Sequence, residues 1–318
     1  MSRYLTYSEH LKKTYGEKVY KIPVNLPLTC PNRDGEVAEG GCTYCSDIGA
    51  GFEAQSNELD IQTQMNKNIE HIRARYKANK YIAYFQNFTN TYMTLELFKE
   101  RLEEACLEDV VEISVSSRPD CIHDAYLDIL ESIKEKYNVE ISIELGLQSI
   151  NPVTLVKINR GHNLAEWVDA VRRIQSRGFE ICTHLILNLP WDDKLHTDEA
   201  ARLMSAMGVR HVKLHSLYIL KGTELGRQYE AGELDLIDFD AYVDRVVSFI
   251  RLLHPDTVIH RIAGRAPKED TLFCNWNKSW WLIKDAIEDK LEALDAKQGD
   301  QCDYLNGKAV QKFVQIDG

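Results

Sequence analysis

Three cysteines near the start of the chain have the spacing of a metal-binding site. Cys30, Cys42 and Cys45 lie in one short segment, CPNRDGEVAEGGCTYC, whose glycines let the backbone fold closely around a ligand. Thiols at this spacing can bind zinc, hold an iron–sulfur cluster or form a disulfide. Because no histidine occurs between His10 and His71, a closed zinc site has no obvious fourth ligand nearby. Three thiolates without a fourth are what a cluster with one open iron requires.

The composition is that of a globular protein with reduced thiols. The chain has 318 residues, of which 44% are hydrophobic and 27% charged, and both fractions are ordinary for such proteins. The sequence shows neither a signal-peptide pattern nor an apolar run of about 20 residues, so we expect a cytoplasmic protein without a membrane partner. In a cytoplasm, clustered cysteines indicate metal binding or catalysis. We expect the scattered cysteines to be small buried residues or chance occurrences: Cys106, Cys121, Cys182, Cys274 and Cys302.

The charge is acidic overall but unevenly distributed. The formal net charge is −11, which argues against nucleic acid as a partner, and DNA is not expected. Residues 1–80, however, contain 11 basic and 10 acidic side chains, whereas the remainder contains 27 and 39. Two basic runs, Lys12–Lys21 and Arg73–Lys80, could contact phosphates, although solvated surface is the simpler interpretation.

Predicted strands and helices alternate along most of the chain. A period-2 pattern from Tyr20 to Leu26 predicts the first strand, in which Pro23 favours an edge position. The spacing of apolar residues between Ile61 and Tyr76 predicts an amphipathic helix, and further strands and helices follow. Serial βα steps indicate a parallel sheet with crossover helices. The sequence therefore predicts an α/β fold, a partial (βα)6 TIM-like barrel with a C-terminal helical extension.

Polar residues cluster just after several of the predicted strands. They are Gln86 and Asn87, Arg118 to Asp120, Gln148, and Lys213 to His215. In parallel α/β folds, ligands bind at this edge of the sheet. We expect residues 15–265 to form the core domain, with the cysteine-bearing loop at 27–59. Residues 266–318 are expected to form a helix-rich extension, with a loose polar tail after Lys297.

Two further features fit ordinary packing. His184 lies inside an apolar strand, so we expect a hydrogen-bonded core histidine rather than a ligand. Trp280 and Trp281 are adjacent, and we expect this pair to pack against the core rather than to stack on nucleic-acid bases.

Several motifs accompany the cysteines in order along the chain. SRPD occurs at 117–120, ELGLQS at 144–149, NRGH at 159–162 and HRIAGRAP at 260–267. With the three cysteines and Tyr44 directly before the last of them, these motifs resemble the radical S-adenosylmethionine enzymes. The usual spacing there is Cx3Cx2C, and the wider Cx11Cx2C found here is similar to the branch that includes the Elongator catalytic subunit. The cysteine segment and HRIAGRAP resemble one subgroup of that branch, the YtqA/YhcC-like proteins.

The resemblance implies two cofactors. Cys30, Cys42 and Cys45 would ligate one [4Fe–4S] cluster, and S-adenosylmethionine would bind the fourth iron. Arg160 would suit the methionine carboxylate, Gln148 would lie near the ribose or methionine, and further contacts would come from Tyr44, Gln86, Asn87 and Ser116. An electron from a donor such as flavodoxin or ferredoxin would cleave S-adenosylmethionine to a 5′-deoxyadenosyl radical, which abstracts hydrogen from the substrate. No catalytic side chain is assigned.

The subgroup also implies a substrate. It is linked with the wobble uridine of tRNA, where a 5-carboxymethylaminomethyl group would be converted to 5-aminomethyl. Candidate substrate contacts at or after the late strands are Lys213, His215, Lys221, Arg261 and Arg265. Two alternatives remain open: radical chemistry on a small molecule, such as a porphyrin-like one, and a non-catalytic zinc- or iron-binding interaction module.

Overall fold

The protein folds into an α/β barrel segment built on one parallel sheet. The structure is a computed structural model that describes residues 2–46, 54–267 and 269–314. Seven strands form the sheet in the order β1-β2-β3-β4-β5-β6-β8, and every neighbouring pair is parallel. Its strands are β1 (Val19–Val24), β2 (Lys80–Phe85), β3 (Val110–Ser117), β4 (Glu140–Gln148), β5 (Glu180–Ile186), β6 (His211–His215) and β8 (Val258–Ile259). The predicted partial TIM-like barrel is confirmed, and β1, which contains Pro23, lies at an edge.

Ten α-helices lie within the described residues, and the crossover helices among them cover the outer face of this sheet. They are α1 (Tyr7–Tyr15), α2 (Ile61–Tyr76), α3 (Leu95–Glu104), α4 (Asp124–Tyr137), α5 (Pro152–Lys157), α6 (Leu164–Ser176), α7 (Lys194–Ala206), α8 (Glu224–Glu230), α9 (Phe239–Leu252) and α10 (Trp280–Ala293). Capping side chains define the N-terminal ends of several helices, as in α6, where Asn163 and Glu166 form a reciprocal capping box. Each crossover helix turns an apolar face to the sheet, which explains the helical periodicity of the sequence.

Three segments differ from the sequence-based expectation. The apolar run from Glu180 to Leu189 predicts a strand of that length, but β5 ends at Ile186, and the following turn contains Asn188, whose Oδ1 accepts from Leu217 N. A small two-stranded antiparallel sheet, formed by β7 (Tyr218–Leu220) and β9 (Thr271–Cys274), was not predicted. The tail after Lys297 was expected to be loose, yet Gln298 is buried and donates to three backbone carbonyls. Short polar segments carry too little periodicity to reveal such contacts.

The tryptophan pair at the start of α10 does not pack as expected. The two rings stack on each other at 3.8 Å between centres, and Trp281 is 58% exposed. The packing prediction is wrong for Trp281, because α10 turns only Ile283, Ile287 and Leu291 fully toward the core.

Parts of two predicted segments fall outside the described residues. The cysteine-bearing loop at 27–59 includes residues 47–53, and the extension at 266–318 includes residue 268 and residues 315–318. Within the described ranges, no helix combines the length and the apolar character needed to cross a membrane. All eight cysteines are thiols, as expected.

Candidate functional site

The cysteine loop is fastened to the turn that follows α5. Asn159 donates from its side-chain amide to the carbonyls of Glu39 and Gly41, both at 2.8 Å. Thr43 N donates to Ile158 O at 3.0 Å, which adds a backbone contact between the same two segments. The loop is therefore positioned by a motif, NRGH, that lies more than a hundred residues downstream.

At position 161 of this motif, both the backbone conformation and the surrounding space favour glycine. Its φ is +78°, and an added Cβ would lie 2.3 Å from Asn32 Oδ1 and 2.9 Å from Val37. A residue with a side chain would thus be strained in its backbone and would displace the cysteine loop. The close approach explains why glycine stands between Arg160 and His162.

The sulfur of Cys42 accepts hydrogen bonds from two polar side chains. Arg160 Nη1 donates to Cys42 Sγ at 3.4 Å, and Asn32 Nδ2 donates to it at 3.5 Å. Burial, and then the neighbouring Cys42, raises the pKa of the Cys45 thiol to about 11. The thiols thus lie close enough to influence each other, beside a permanent cation.

Two guanidinium atoms point into this region with no partner among the described residues. Arg160 also donates from Nη2 to Gly146 O at 2.7 Å, which leaves its buried Nε unpaired. Arg118 pairs with Asp120 at 2.7 Å, and its Nη1 is buried and unpaired. Unsatisfied buried donors are costly, so both atoms favour a negatively charged ligand between them and the cysteines.

An irregularity at the end of β4 places Gln148 in the same cavity as the cysteines. The pairing of β4 with β5 shifts register between Gly146 and Gln148, and Gln148 has a φ of +75°. A Cβ on Gly146 would lie 2.7 Å from Arg160 Nη2, so glycine is required for this approach. The bulge turns Gln148 into the cavity beside the cysteines.

A buried ion cluster forms part of the wall of the same cavity. Glu144 Oε2 accepts from Tyr84 OH at 2.6 Å, from His184 Nε2 at 2.7 Å and from Lys213 Nζ at 2.7 Å. Its other oxygen accepts from Lys21 Nζ. Burial alone would raise the pKa of Glu144, but Lys21 and Lys213 outweigh it and hold this pKa well below its usual range. The carboxylate is therefore ionised and joins strands β1, β2, β5 and β6 to β4.

The histidines of this wall are neutral near pH 7. Burial, and then Lys213, lowers the pKa of His184 to about 4. Burial, and then His184 and Arg261, lowers the pKa of His215 well below its ordinary value, and its buried Nε2 has no partner among the described residues. His184 is hydrogen-bonded as expected, but it also lines the cavity.

The polar interior continues toward the other end of the barrel. Cys182 Sγ lies 3.6 Å from His260 Nδ1, and His260 Nε2 lies 2.9 Å from His211 Nδ1. Tyr7 of α1 stacks on His260 at 3.7 Å between ring centres. Helix α1 therefore closes the end of the barrel that lies away from the cysteines.

Most of the sequence-predicted site residues line one cavity. They are Cys30, Cys42, Tyr44, Cys45, Gln86, Ser116, Gln148, Arg160, Lys213, His215, Arg261 and Arg265. Two lie elsewhere: Asn87 is buried and donates to Asn25 Oδ1, and Lys221 lines a neighbouring cavity that shares Cys42 and Cys45 with the first. The specific roles assigned to these residues stay predictions.

Sequence reasoning missed Lys21 and Tyr84 as parts of this cavity. Lys21 was placed in a basic run that could meet phosphates, but its side chain is paired with Glu144 inside the barrel. The missed signal was strand alternation, because Lys21 and Tyr84 occupy inward positions in β1 and β2.

The fold and the cavity together define a barrel protein with a polar cavity at the C-terminal ends of its strands, lined by three cysteines. A sequence model of the Radical SAM superfamily matches residues 30–213, more than half of the chain, and one of the Radical_SAM C-terminal domain matches residues 209–293. The chain belongs to the radical S-adenosylmethionine superfamily. Membership implies a [4Fe–4S] cluster and S-adenosylmethionine.

Individual proteins support the same assignment. The chain is 37% identical over 298 residues to the uncharacterized protein YtqA of Bacillus subtilis (strain 168), covering 93% of this chain and 92% of that protein. It is 33% identical over 272 residues to the protein YhcC of Escherichia coli (strain K12), covering 85% and 86%. The structure of archaeal Methanocaldococcus infernus Elp3 with an N-terminal deletion is similar in fold, with a TM-score of 0.65 at 16% identity. That match covers 88% of this chain and 64% of the Elp3 chain, a little under two-thirds.

The residues present fit both implied groups. Sulfur ligands of iron–sulfur clusters commonly accept hydrogen bonds, and Cys42 has two donors in place. An amino-acid carboxylate requires guanidinium or similar donors, and Arg160 Nε and Arg118 Nη1 are buried and unpaired within the described residues. The donor set thus suits a thiolate-bound cluster together with an anionic ligand.

Proposed function

We propose that this protein is a radical enzyme that modifies the wobble uridine of tRNA, converting its 5-carboxymethylaminomethyl group to 5-aminomethyl. One observation carries the enzymatic part of the proposal. A single cavity is lined both by the three cysteines and by the Glu144–Lys213–Tyr84 group. A substrate in this cavity would lie near both the cofactor residues and a set of polar groups.

This arrangement indicates which part of the chemistry the cofactor supplies and which part the side chains supply. When bound, the reduced cluster with S-adenosylmethionine supplies the removal of a hydrogen atom from a substrate C–H bond. Glu144, held ionised, fixes Lys213 Nζ at 2.7 Å and Tyr84 OH at 2.6 Å. Lys213 Nζ also donates to Tyr84 OH at 3.0 Å, so its ammonium group is oriented at the cavity wall before a substrate enters.

The cations of the cavity support an anionic substrate group. Lys213, Arg261 and Arg265 all line it, and the positive charge of Arg261 contributes to the low pKa of His215. A carboxymethyl group carries a carboxylate, which a guanidinium binds through paired hydrogen bonds. The wobble-uridine substrate would therefore present the carboxylate of its carboxymethyl group to Arg261, and the bond that breaks is the one between the amine nitrogen and the methylene of that group.

The choice of tRNA rests on the resemblance to the YtqA/YhcC-like subgroup. YtqA and YhcC align with this chain over most of its length, and the segment HRIAGRAP, on which the resemblance depends, contains both Arg261 and Arg265. We also propose an electron donor such as flavodoxin or ferredoxin, and a cytoplasmic location in which the thiols stay reduced.

Anaerobic reconstitution tests the enzymatic part. Purified protein supplied with iron and sulfide should gain visible iron–sulfur absorption and, with dithionite and S-adenosylmethionine, release 5′-deoxyadenosine. Cys45→Ala should abolish both signals, whereas Cys302→Ala, at a cysteine outside the cavity, should retain both. Retention of both signals by Cys45→Ala would mean that the cysteine site is wrongly assigned.

Nucleoside mass spectrometry tests the substrate. tRNA from a strain that lacks the gene should accumulate 5-carboxymethylaminomethyluridine at the wobble position and lose 5-aminomethyluridine. The reconstituted enzyme should restore the second nucleoside in that tRNA. An unchanged wobble position in the deletion strain would exclude this substrate.

A small anionic molecule, such as a porphyrin-like one, is the second candidate substrate. The net charge of −11 favours it, because an acidic surface repels a polyanion such as tRNA but does not prevent entry of a small ligand into a cationic cavity. The two substrates give different results in the nucleoside experiment, since only the first leaves a change in tRNA.

A further inference from the structure

The start of α10 presents two aromatic rings to solvent. Trp280 and Trp281 stack with 3.8 Å between ring centres and 29° between ring planes. Trp281 is 58% exposed and the adjacent Leu282 is 57% exposed. Large apolar groups that remain exposed together are uncommon on a protein surface and mark a contact site.

Arg265 connects this aromatic pair to the cavity. Its guanidinium carbon lies 5.5 Å from the centre of the Trp280 ring, and the same residue lines the cavity beside Arg261. A row of three flat groups, Arg265, Trp280 and Trp281, therefore leads outward from the cavity mouth. Planar groups of a ligand that reaches into the cavity could stack along this row.

The local charge is opposite to that of the whole chain. Between His260 and Lys284 there are two acidic residues, Glu269 and Asp270, against five basic ones, Arg261, Arg265, Lys268, Lys278 and Lys284, of which Lys284 is paired with Glu288. The chain as a whole has a net charge of −11. This segment therefore favours an anionic partner, and the combination of exposed indoles with cations is how proteins bind unpaired nucleotides.

We propose that Arg265, Trp280 and Trp281 form a stacking platform for unpaired RNA bases that flank the nucleotide entering the cavity. The proposal rests on the proposed function in taking an RNA loop as the substrate. Bases next to a wobble nucleotide are unpaired in an anticodon loop, so they are available for stacking. Double-stranded RNA, whose bases are already stacked on one another, does not fit this surface.

Binding measurements on the reconstituted protein test the platform. The probe is a fluorescently labelled anticodon stem-loop RNA, compared with a fully paired duplex by fluorescence anisotropy. Trp281→Ala should weaken binding of the stem-loop by about tenfold or more, because each stacked base contributes that order of affinity. Trp281→Tyr, which keeps a flat aromatic ring, should restore most of the loss. Melting temperature and iron content verify that each variant is folded and loaded.

Phe313→Ala provides the matched control. Phe313 is 76% exposed and lies in the C-terminal 3-10 helix, so the change removes an exposed aromatic ring outside the platform. It should leave the affinity for the stem-loop unchanged. Equal losses in Trp281→Ala and Phe313→Ala would show a nonspecific effect and overturn the proposal.

The remaining outcomes separate the platform from the proposed function. If the wild type binds the stem-loop and Trp281→Ala binds equally well, the platform is wrong while tRNA modification stands. If Trp281→Ala weakens binding but wobble uridine is unchanged in the deletion strain, the platform stands and the substrate is wrong. Failure of the wild type to bind the stem-loop would overturn both proposals. Self-association that depends on Trp281, detected by sedimentation, would identify a second copy of the chain, instead of RNA, as the partner of this surface.

Discussion

Glu144 is the residue on which the charges of the cavity wall depend. Its side chain is fully buried and is the shared acceptor of Lys21, Lys213, His184 and Tyr84. Two buried ammonium groups would repel each other without this carboxylate, and neither could be solvated. Glu144 therefore contributes to the stability of the barrel as well as to the orientation of Lys213.

Replacing Glu144 by Gln should be strongly destabilising. The change leaves Lys21 and Lys213 without their counter-charge, so the free energy of unfolding should fall by about 3–5 kcal/mol. Chemical denaturation monitored by circular dichroism measures the loss. Glu288→Gln is the control, because Glu288 pairs with Lys284 at the surface and should cost no more than about 1 kcal/mol. A loss at Glu144 equal to that at Glu288 would contradict the role of the buried carboxylate.

Gly161→Ala should impair the cysteine loop more than the fold. Alanine at φ +78° would place its Cβ against Asn32, whose side chain donates to Cys42 Sγ. Gly178→Ala is a closely matched control, because Gly178 has a φ of +67° but nothing within 4 Å of the added Cβ. Both should lose about 1 kcal/mol of stability from backbone strain. Only Gly161→Ala should lose iron content after reconstitution, and normal iron content in that variant would contradict the role of Gly161.

The residues that sequence could identify are those carried by local motifs. Cys30, Cys42 and Cys45 form a recognisable segment, and Gln148 and Arg160 occur in motifs that follow one strand. Lys21 and Tyr84 were missed because their partner, Glu144, lies on another strand far along the chain. Pairing across a parallel sheet is a tertiary property that a single sequence does not display.

At the level of elements, the inward faces of β4, β5 and β6 are unusually polar for a barrel interior. Glu144, Cys182, His184, His211 and Lys213 alternate with apolar residues that pack against the outer helices. The alternation was readable from the sequence, but the buried strands were interpreted mainly as apolar runs. The bounds of long elements were predicted closely, as for α2 (Ile61–Tyr76), because each has several turns of periodicity.

Because these histidines have lowered pKa values in the folded protein, we expect the free energy of unfolding to fall in mild acid. Burial is the first cause that lowers the pKa of His184 to about 4 and that of His211 to about 3, and it also lowers the pKa values of His215 and His260 well below their ordinary value. The unfolded chain titrates near 6.5, so below that pH it binds protons that the folded state does not. Stability is therefore lost progressively from about pH 6.5 to about pH 4.

Denaturation at several pH values measures this effect. Unfolding near pH 5.5 should take up more than about two protons, read from the slope of unfolding free energy against pH. His211→Gln should reduce this uptake by about one proton, whereas His71→Gln, at an exposed position of α2, should not change it. A slope that is flat between about pH 7 and about pH 5 would contradict the burial of neutral histidines.

For the whole molecule, the class of fold could be predicted and the arrangement of its surfaces could not. Serial strands and helices predicted the partial barrel, because a parallel sheet requires crossover helices. The sequence indicated basic runs near the N-terminus, yet Lys21 is paired with Glu144, and His10 of α1 contacts His211 at the start of β6. Helix α1 thus lies at the end of the barrel away from the cavity, whereas Arg265 lines the cavity and contacts Trp280 at the start of α10.

Charge reversal in α1 and around the start of α10 tests which surface meets RNA, if RNA is the substrate. Replacing Lys278 and Lys284 by Glu should weaken stem-loop binding by about tenfold at low salt and reduce the salt slope by about two, because each lost phosphate contact removes about one released counterion. The matched variant replaces Lys12 and Lys13 of α1 by Glu, which changes the net charge of the chain equally. Since α1 lies at the opposite end, its variant should bind RNA nearly as the wild type does. A larger loss from the α1 variant would place the RNA at the N-terminal ends of the strands, where it could not deliver a base to the cysteine cavity.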